Sequence, residues 1–155
     1  MNIIKIKVDK LSIDNIKDIS NLLIENIQIE YSKHYQDNIL KYFYEDSRIE
    51  NIINRFSDNR ITYYAIIDNE IIGMISLLNN EIRTFNVSKK YRYQGVGRKL
   101  LNKIILENNN KKLKVKSLIS AIDIYLSLGF KTLNESEVIK TDKGLEYLIL
   151  NMYLN

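Results

Sequence analysis

Apolar and polar residues follow two periods along this chain, and together the periods predict a mixture of strands and helices. Alternation, or a short apolar run between turn residues, predicts strands at residues 3–8, 61–67, 71–78, 82–87, 113–117, 130–133 and 145–154. Apolar residues three or four positions apart predict helices at residues 13–30, 39–56, 96–107 and 121–128, the second in one or two pieces. With no internal repeat or linker, this order predicts one mixed α/β domain over residues 1–155.

Caps and turns refine this prediction. Ser12 is suited to cap the first helix, and the connections at 68–70 and 79–80 are typical of hairpins, so three successive strands run antiparallel. A polar loop is expected over 134–144. The periods also predict which apolar side chains face the core, among them Ile4, Ile6, Val8, Ile49, Ile52, Ile53 and Phe56. Tyr63 and Tyr64 must lie on opposite faces of their strand.

The segment Arg92-Tyr93-Gln94-Gly95-Val96-Gly97-Arg98-Lys99 is unusual for the start of a helix. Its glycines imply a tight bend or a close approach by another group. Basic residues are unfavourable at this end, where the helix dipole is positive and backbone N–H groups are free. A bound phosphate or pyrophosphate explains both features. The alternative is an ordinary glycine-rich turn with solvated basic residues.

The strand before this turn changes phase. Ile82 lies on one phase of the alternation, while Phe85 and Val87 lie on the other. A β-bulge near Arg83 or Thr84 is the simplest cause, and bulges are common beside active sites.

The turn resembles the Q/R-x-x-G-x-G/A motif of the GCN5-related N-acetyltransferases (the GNAT family), and the element order is similar as well. The resemblance implies a mostly antiparallel mixed sheet with a splayed parallel strand pair, flanked by helices. It also implies that the turn binds the pyrophosphate of coenzyme A, and that the bulged strand meets the acetyl group and the pantetheine arm. The implied cofactor-binding residues are Phe85, Asn86, Val87, Arg92, Tyr93, Gln94, Gly95, Val96, Gly97, Arg98 and Lys99.

The segment from Ala121 to Phe130 is similar to the A-I-x-x-Y-x-x-x-G-F segment of the same family. The resemblance implies that Tyr125 protonates the departing thiolate, and a phenol holds its proton at neutral pH until a stronger base develops. The alternative is a helix residue packed on the sheet. Two positions depart from the family pattern: Leu118 replaces a frequent asparagine, and Tyr93 replaces a frequent glycine.

Glu81, eleven positions before Arg92, matches the offset of the general base in the histone-type branch of the family. It would take the proton that an alkylammonium must lose before it attacks. An exposed strand-end carboxylate, with water as the base, is the alternative. Backbone N–H groups near Phe85 and Val87 are expected to polarise the thioester carbonyl.

Composition narrows the function. The chain has no cysteine and one histidine, which excludes thiolate chemistry and disfavours a multi-histidine metal site, so no metal is expected. The net charge of +4 comes from dispersed basic residues, which fits a polyanionic cofactor better than nucleic acid. Lysines interrupt the first apolar run and no apolar stretch could span a bilayer, so a cytoplasmic protein without membrane contact is expected.

The sequence therefore predicts an acetyl-CoA-dependent N-acetyltransferase that transfers its acetyl group directly to a primary amine of a small molecule or protein. Two other classes stay open: a non-catalytic acyl-CoA-binding module and a basic nucleic-acid-binding domain. Tyrosines of the 31–42 region and His34 are candidates for the acceptor pocket, although a plain loop is the simpler interpretation of His34. The apolar last strand offers an edge to a second subunit, so a homodimer is open.

Overall fold

The computed structural model describes residues 1–155, which form one seven-stranded sheet with helices on both faces. The strand order is β1-β2-β3-β4-β5-β7-β6, antiparallel except between β4 and β5. No helix is long and apolar enough to cross a membrane. The strands are β1 (Asn2–Lys5), β2 (Ile61–Ile67), β3 (Glu70–Leu78), β4 (Glu81–Val87), β5 (Leu113–Leu118), β6 (Lys131–Lys140) and β7 (Glu146–Leu154). The helices are α1 (Ile13–Ile29), α2 (Asp37–Asp46), α3 (Ile49–Arg55), α4 (Val96–Glu107) and α5 (Ile122–Ser127).

The expected cap and hairpin turns are present. Ser12 accepts a hydrogen bond at its Oγ from the N–H of Asn15 at 3.1 Å, which satisfies one free donor at the start of α1. Both hairpin turns place two residues at positive φ, Asp68 and Asn69 in the first and Asn79 and Asn80 in the second. Asp and Asn tolerate this conformation, and its twist suits a two-residue hairpin.

The predicted β-bulge lies at Arg83. Ser76 of β3 pairs with Thr84 of β4, but the next residue, Leu77, pairs with Ile82, so Arg83 has no partner opposite it. The extra residue turns Ile82, Phe85 and Val87 toward α4. Thr84 and Asn86 face α1 instead. The phase change in the sequence therefore records a real change in backbone geometry.

The parallel pair β4 and β5 separates soon after it begins. The two strands are paired only at Glu81 with Lys114 and at Ile82 with Val115. Beyond these pairs the strands splay apart, because β4 continues beside β3 while β5 pairs along its whole length with β7. The splay confirms the predicted architecture and leaves an opening through the sheet.

Two apolar cores cover the two faces. The larger core lies under α4 and α5 and includes Leu100, Ile104 and Tyr125. The smaller core lies under α1 and α3 and includes Ile19, Ile52 and Tyr64. Tyr64 is fully buried and Tyr63 is half-buried, as opposite faces of one strand require.

A polar contact joins β1 and β2 to the end of α4. Lys5 Nζ donates to Glu107 Oε1 at 2.7 Å, and the Tyr63 hydroxyl donates to Glu107 Oε2 at 2.8 Å. These two hydrogen bonds, the Lys5 bond first, hold the pKa of Glu107 below its usual value.

Three local predictions were wrong. β1 ends at Lys5, and Ile4 is 40% exposed because Ile3 faces the core instead. In α3, Ile52 is buried but Ile49 and Ile53 are exposed, since only one narrow side of this short helix meets α1.

The third concerns residues 134–140, where a polar loop was expected. The strand predicted at 130–133 instead continues through them as the edge strand β6, which pairs with β7 up to Lys140 after a register shift between Thr132 and Ser136. Both faces of this edge reach water, so the sequence carries no alternating apolar pattern there.

Candidate functional site

A cavity of about 610 Å³ lies at the splay between β4 and β5. Its lining comes from both faces of the sheet. The α4 and α5 side contributes Phe85, Val87, Gly97, Arg98 and Tyr125, and the α1 to α3 side contributes Asn26, Tyr31, Phe43, Arg55, Thr84 and Asn86. Two molecules approaching from opposite faces could therefore meet inside it.

The turn into α4 presents a row of free backbone donors. Gly95 caps the helix in the left-handed conformation, with φ of 80°, and Tyr93 also has a positive φ of 60°. As a result, the N–H groups of residues 93–98 donate to no acceptor in the chain. No acidic residue lies in the first turn, whereas Arg98 lies there and lines the cavity. This arrangement suits an anion with several oxygen atoms.

Gly97 has no side chain, so the space between the turn and β4 stays open. A Cβ at this position would lie 3.5 Å from the Phe85 ring and 3.8 Å from a Val87 methyl group. A small side chain therefore fits, whereas a larger one would enter the space above β4.

The other predicted turn residues are distributed differently. Arg92 turns away from the turn: its Nη1 donates to Glu30 at 2.9 Å and its Nε donates to the carbonyl oxygen of Val87 at 3.0 Å. Tyr93 lines the mouth of the cavity with a fully exposed side chain, and Val96 is buried in the core. Gln94 and Lys99 are exposed and lie outside the cavity lining.

Tyr125 is a buried residue that lines the cavity. Its ring packs between Phe85, at 6.1 Å between centroids, and Phe130, at 5.2 Å. Its hydroxyl forms no hydrogen bond within the chain. Burial raises the pKa of Tyr125, and the nearby Tyr31 phenol raises it further. Tyr125 is therefore a protonated donor with no partner in the protein.

Glu81 does not join this group. It lies where β4 and β5 are still paired, outside the cavity lining, and its carboxylate is 3.6 Å from Arg83 Nε. Asn86, in contrast, lines the cavity, and its side chain accepts a hydrogen bond from Asn26 at 2.7 Å.

The tyrosine-rich region forms the wall on the α1 to α3 side. Tyr31 lines the cavity, and burial raises its pKa to about 12, although the Arg55 guanidinium acts to lower it. The Tyr35 hydroxyl accepts a hydrogen bond from the N–H of Ile119 at 3.3 Å, joining this wall to the end of β5. Tyr42 and His34 lie outside the lining, and His34 is exposed.

Sequence reasoning missed Asn26, Phe43 and Arg55 as cavity residues. They lie on three different helices that the fold brings together, so no spacing in the sequence connects them. The only signal for Arg55 was a basic residue on the helix that also carries the buried Ile52, which is not specific to a site.

Comparison with known proteins agrees with this architecture. No curated protein sequence matches the chain. Among solved structures, a GCN5-related N-acetyltransferase from Rhodopseudomonas palustris has a TM-score of 0.78 at 15% identity, over 98% of this chain and 93% of that chain. The PaiA N-acetyltransferase of Thermoplasma acidophilum, in complex with coenzyme A, has a TM-score of 0.65 at 17% identity, over 99% and 98%. An aminoglycoside 6′-N-acetyltransferase complexed with coenzyme A has a TM-score of 0.66 at 16% identity, over 99% and 96%.

The likeness to these structures extends over nearly the whole chain and shows that the chain shares their fold. A family model described as an acetyltransferase (GNAT) domain matches residues 27–152. The chain belongs to the GNAT family, whose common chemistry is acetyl transfer.

Proposed function

We propose that this protein is an acetyl-CoA-dependent N-acetyltransferase that transfers an acetyl group directly to a primary amine. The observation that carries the proposal is the single cavity that combines free backbone N–H groups at residues 93–98 with the unpaired Tyr125 hydroxyl. The first feature suits a pyrophosphate and the second suits a leaving thiolate.

The residues of the turn fit the cofactor in charge and in shape. The N–H groups of 93–98 would bind the pyrophosphate, with Arg98, which lines the cavity, as a counter-charge. Phe85 and Val87 would line the path of the pantetheine arm, and their backbone would orient the thioester carbonyl. Arg92 acts indirectly in this proposal, because its bonds to Glu30 and to the Val87 carbonyl fix the bend between β4 and the turn.

Acetyl-CoA supplies an activated acetyl group as a thioester. The amine nitrogen attacks the carbonyl carbon, the new C–N bond forms and the C–S bond breaks. Tyr125 gives its proton to the sulfur, and the nitrogen loses one proton. Tyr125 then regains a proton from solvent, so the balance is one amide and one thiol from one amine and one thioester.

Glu81 has no direct part in the proposed mechanism. Glu81 itself is outside the cavity lining and its carboxylate is paired with Arg83, which leaves it poorly suited to meet an amine at the splay. We propose that water carries the proton from the amine. Glu81→Gln should then leave the pH dependence of kcat/KM unchanged, and a profile that loses its acidic limb would reinstate Glu81 as the base.

A thermal shift experiment tests the cofactor site. Acetyl-CoA at about 100 times its dissociation constant should stabilise the folded state by roughly 2.7 kcal/mol, which is about 5–10 °C in Tm for a chain of this size. Gly95→Glu should abolish the shift, because it places a carboxylate at the anion site. Gly144→Glu is the matched control: Gly144 also has a positive φ and open space, but it lies in the turn between β6 and β7.

A thiol-release assay with an amine panel then tests catalysis. Release that requires an amine and falls strongly in Tyr125→Phe supports acetyl transfer. A full Tm shift without thiol release from any amine would instead identify a binding module that senses acyl-CoA. No shift at millimolar acetyl-CoA would refute the proposal.

A further inference from the structure

The cavity wall on the α1 to α3 side is a fixed aromatic surface. Phe43 and Tyr31 line the cavity with their ring centroids 5.3 Å apart in an edge-to-face arrangement. Behind them, Tyr147 of β7 lies 5.4 Å from the Phe43 ring, and Tyr35 lies 5.7 Å from it. Such interlocked rings have little freedom to move, so they form a preformed slot for an apolar or aromatic group.

Arg55 is the charged group in this slot. It lies at the end of α3 and lines the cavity with 26% of its side chain exposed. Its Nε is 3.3 Å from Asp46 Oδ2, and its Nη1 donates to Ser47 Oγ at 3.3 Å. These contacts orient the guanidinium, but Nη2 donates to no acceptor in the chain. The free Nη2 group of this charged guanidinium can donate to the carboxylate of a ligand.

Carboxylates that could attract a polyamine are scarce here. Only Glu30 and Asp123 line the cavity. Glu30 is already bonded to Arg92 at 2.9 Å, with Lys33 at 3.7 Å, and Asp123 is exposed on α5 at the opposite wall. The lining carries five basic side chains, namely Arg55, Arg83, Arg92, Arg98 and Lys116. Basic side chains therefore outnumber carboxylates in the cavity lining, which makes this lining a poor match for an acceptor with several ammonium groups.

We propose that the acceptor is a primary amine with an apolar or aromatic body and a carboxylate, and that Arg55 binds this carboxylate. Its body lies against Tyr31 and Phe43, and its amine points toward Tyr125. Arg55, Tyr31 and Tyr125 all line the same cavity of about 610 Å³, so one small amino acid inside it can face all three. The inference rests on the proposed acetyl transfer for its chemistry, whereas carboxylate binding by Arg55 can be measured without it.

Matched pairs of amines test this proposal. Aromatic and aliphatic amino acids are compared with their decarboxylated amines, for example phenylalanine with phenethylamine, and spermidine represents polyamines. The better amino acids should exceed their decarboxylated partners in kcat/KM by roughly 10- to 100-fold, as expected for a hydrogen bond between charged groups. Arg55→Gln should remove this difference by raising KM for the amino acid alone. Arg48→Gln, which removes an exposed charge from the α2 to α3 connection outside the cavity, should preserve it.

A binding measurement separates this inference from the catalytic proposal. N-Acetylphenylalanine should raise Tm in the presence of coenzyme A, whereas N-acetylphenethylamine should raise it far less. Arg55→Lys keeps the charge and should keep part of the effect, and a normal Tm shift with acetyl-CoA shows that each variant is folded.

Three results would overturn the inference: equal rates within every pair, a preference for spermidine, or equal losses for both members of a pair in Arg55→Gln. A missing acetyl-CoA shift in the unmodified protein would instead refute the cofactor proposal. In that case, N-acetylphenylalanine binding that depends on Arg55 would still support the carboxylate site.

Discussion

Gly95 and Gly97 lie two residues apart at the start of α4, and the structure predicts opposite effects of alanine at the two positions. Gly95 has φ of 80° with no atom within 4 Å of the position its Cβ would occupy, so its constraint is entirely in the backbone. Gly97 lies within the helix without a positive φ, and its Cβ would make only ordinary contacts with Phe85 and Val87. Space and backbone strain are thereby separated in one turn.

The magnitudes follow from these two geometries. Alanine in the left-handed region costs about 1–2 kcal/mol, and the stiffer unfolded chain returns part of that, which leaves a net loss of about 1 kcal/mol for Gly95→Ala. Alanine favours a helix over glycine by roughly 0.5–1 kcal/mol, so Gly97→Ala should be stabilising by up to that amount. For a chain of this length, each kcal/mol corresponds to about 2–4 °C in Tm.

Thermal unfolding followed by circular dichroism measures both variants, and a repeat with acetyl-CoA measures binding. Gly97→Ala should keep the ligand-induced shift, because the resembling family motif accepts alanine at this position, whereas Gly95→Ala should reduce it by distorting the free N–H groups. If both variants lost the same stability, the positive φ of Gly95 would not be the governing constraint at this turn and the backbone reasoning would be refuted.

Three further predictions concern the rest of the molecule. Tyr125→Phe should lower kcat by roughly 10²- to 10⁴-fold with little change in Tm, since the Tyr125 hydroxyl has no partner to lose. Because burial raises the pKa of Tyr125 above the usual 10.0, the kcat profile of the unmodified protein should show no fall from this group below about pH 10. A fall near neutral pH would argue against Tyr125 as the acid. Glu107→Gln should destabilise the protein at neutral pH, because the folded pKa of Glu107 lies below 4.5 and its carboxylate stabilises the folded state above that value. The stability difference between Glu107→Gln and the unmodified protein, measured by denaturant midpoints, should vanish as the pH falls through the folded pKa. Ile52→Ala should cost about 2–5 kcal/mol of unfolding free energy and Ile53→Ala less than about 1 kcal/mol, because Ile52 is fully buried and Ile53 is 46% exposed. Similar losses for the two variants in urea titrations would contradict the assigned face of α3.

Features written into local chemistry were predictable from the sequence. The bulge at Arg83 shifts the side-chain period by one residue, and such a shift can be read from the order of apolar and polar residues in the sequence. The turns at 68–69 and 79–80 depend on residues that tolerate positive φ, and Asp and Asn are residues of this kind. The same holds for Gly95, whose conformation few other residues adopt.

Features that depend on long-range assembly were not predictable. Arg92 is bonded to Glu30, sixty-two positions away, so its sequence neighbours could not indicate which way the side chain turns. Arg55 joins Tyr31 and Phe43 only after three helices pack on one face of the sheet. Residues 134–140 of edge strand β6 were predicted as a loop because both faces of this edge reach water, so the apolar pattern on which the prediction depends is absent there.

The short pairing between β4 and β5 also decides how the chain divides when it opens. Apart from the pairs at Glu81 and Ile82, strands β1 to β4 and strands β5 to β7 are separately hydrogen-bonded halves, joined through a core that takes Ile75 from one half and Met152 from the other. Loss of that contact would release β5 to β7 as one unit while the first four strands stay paired. Amide hydrogens of β7 should therefore exchange with solvent sooner than those of β3. A ligand that touches both walls of the splay would hold the two halves together and bring the exchange rates of β7 and β3 closer. Hydrogen exchange would therefore detect such a ligand even in the absence of any reaction.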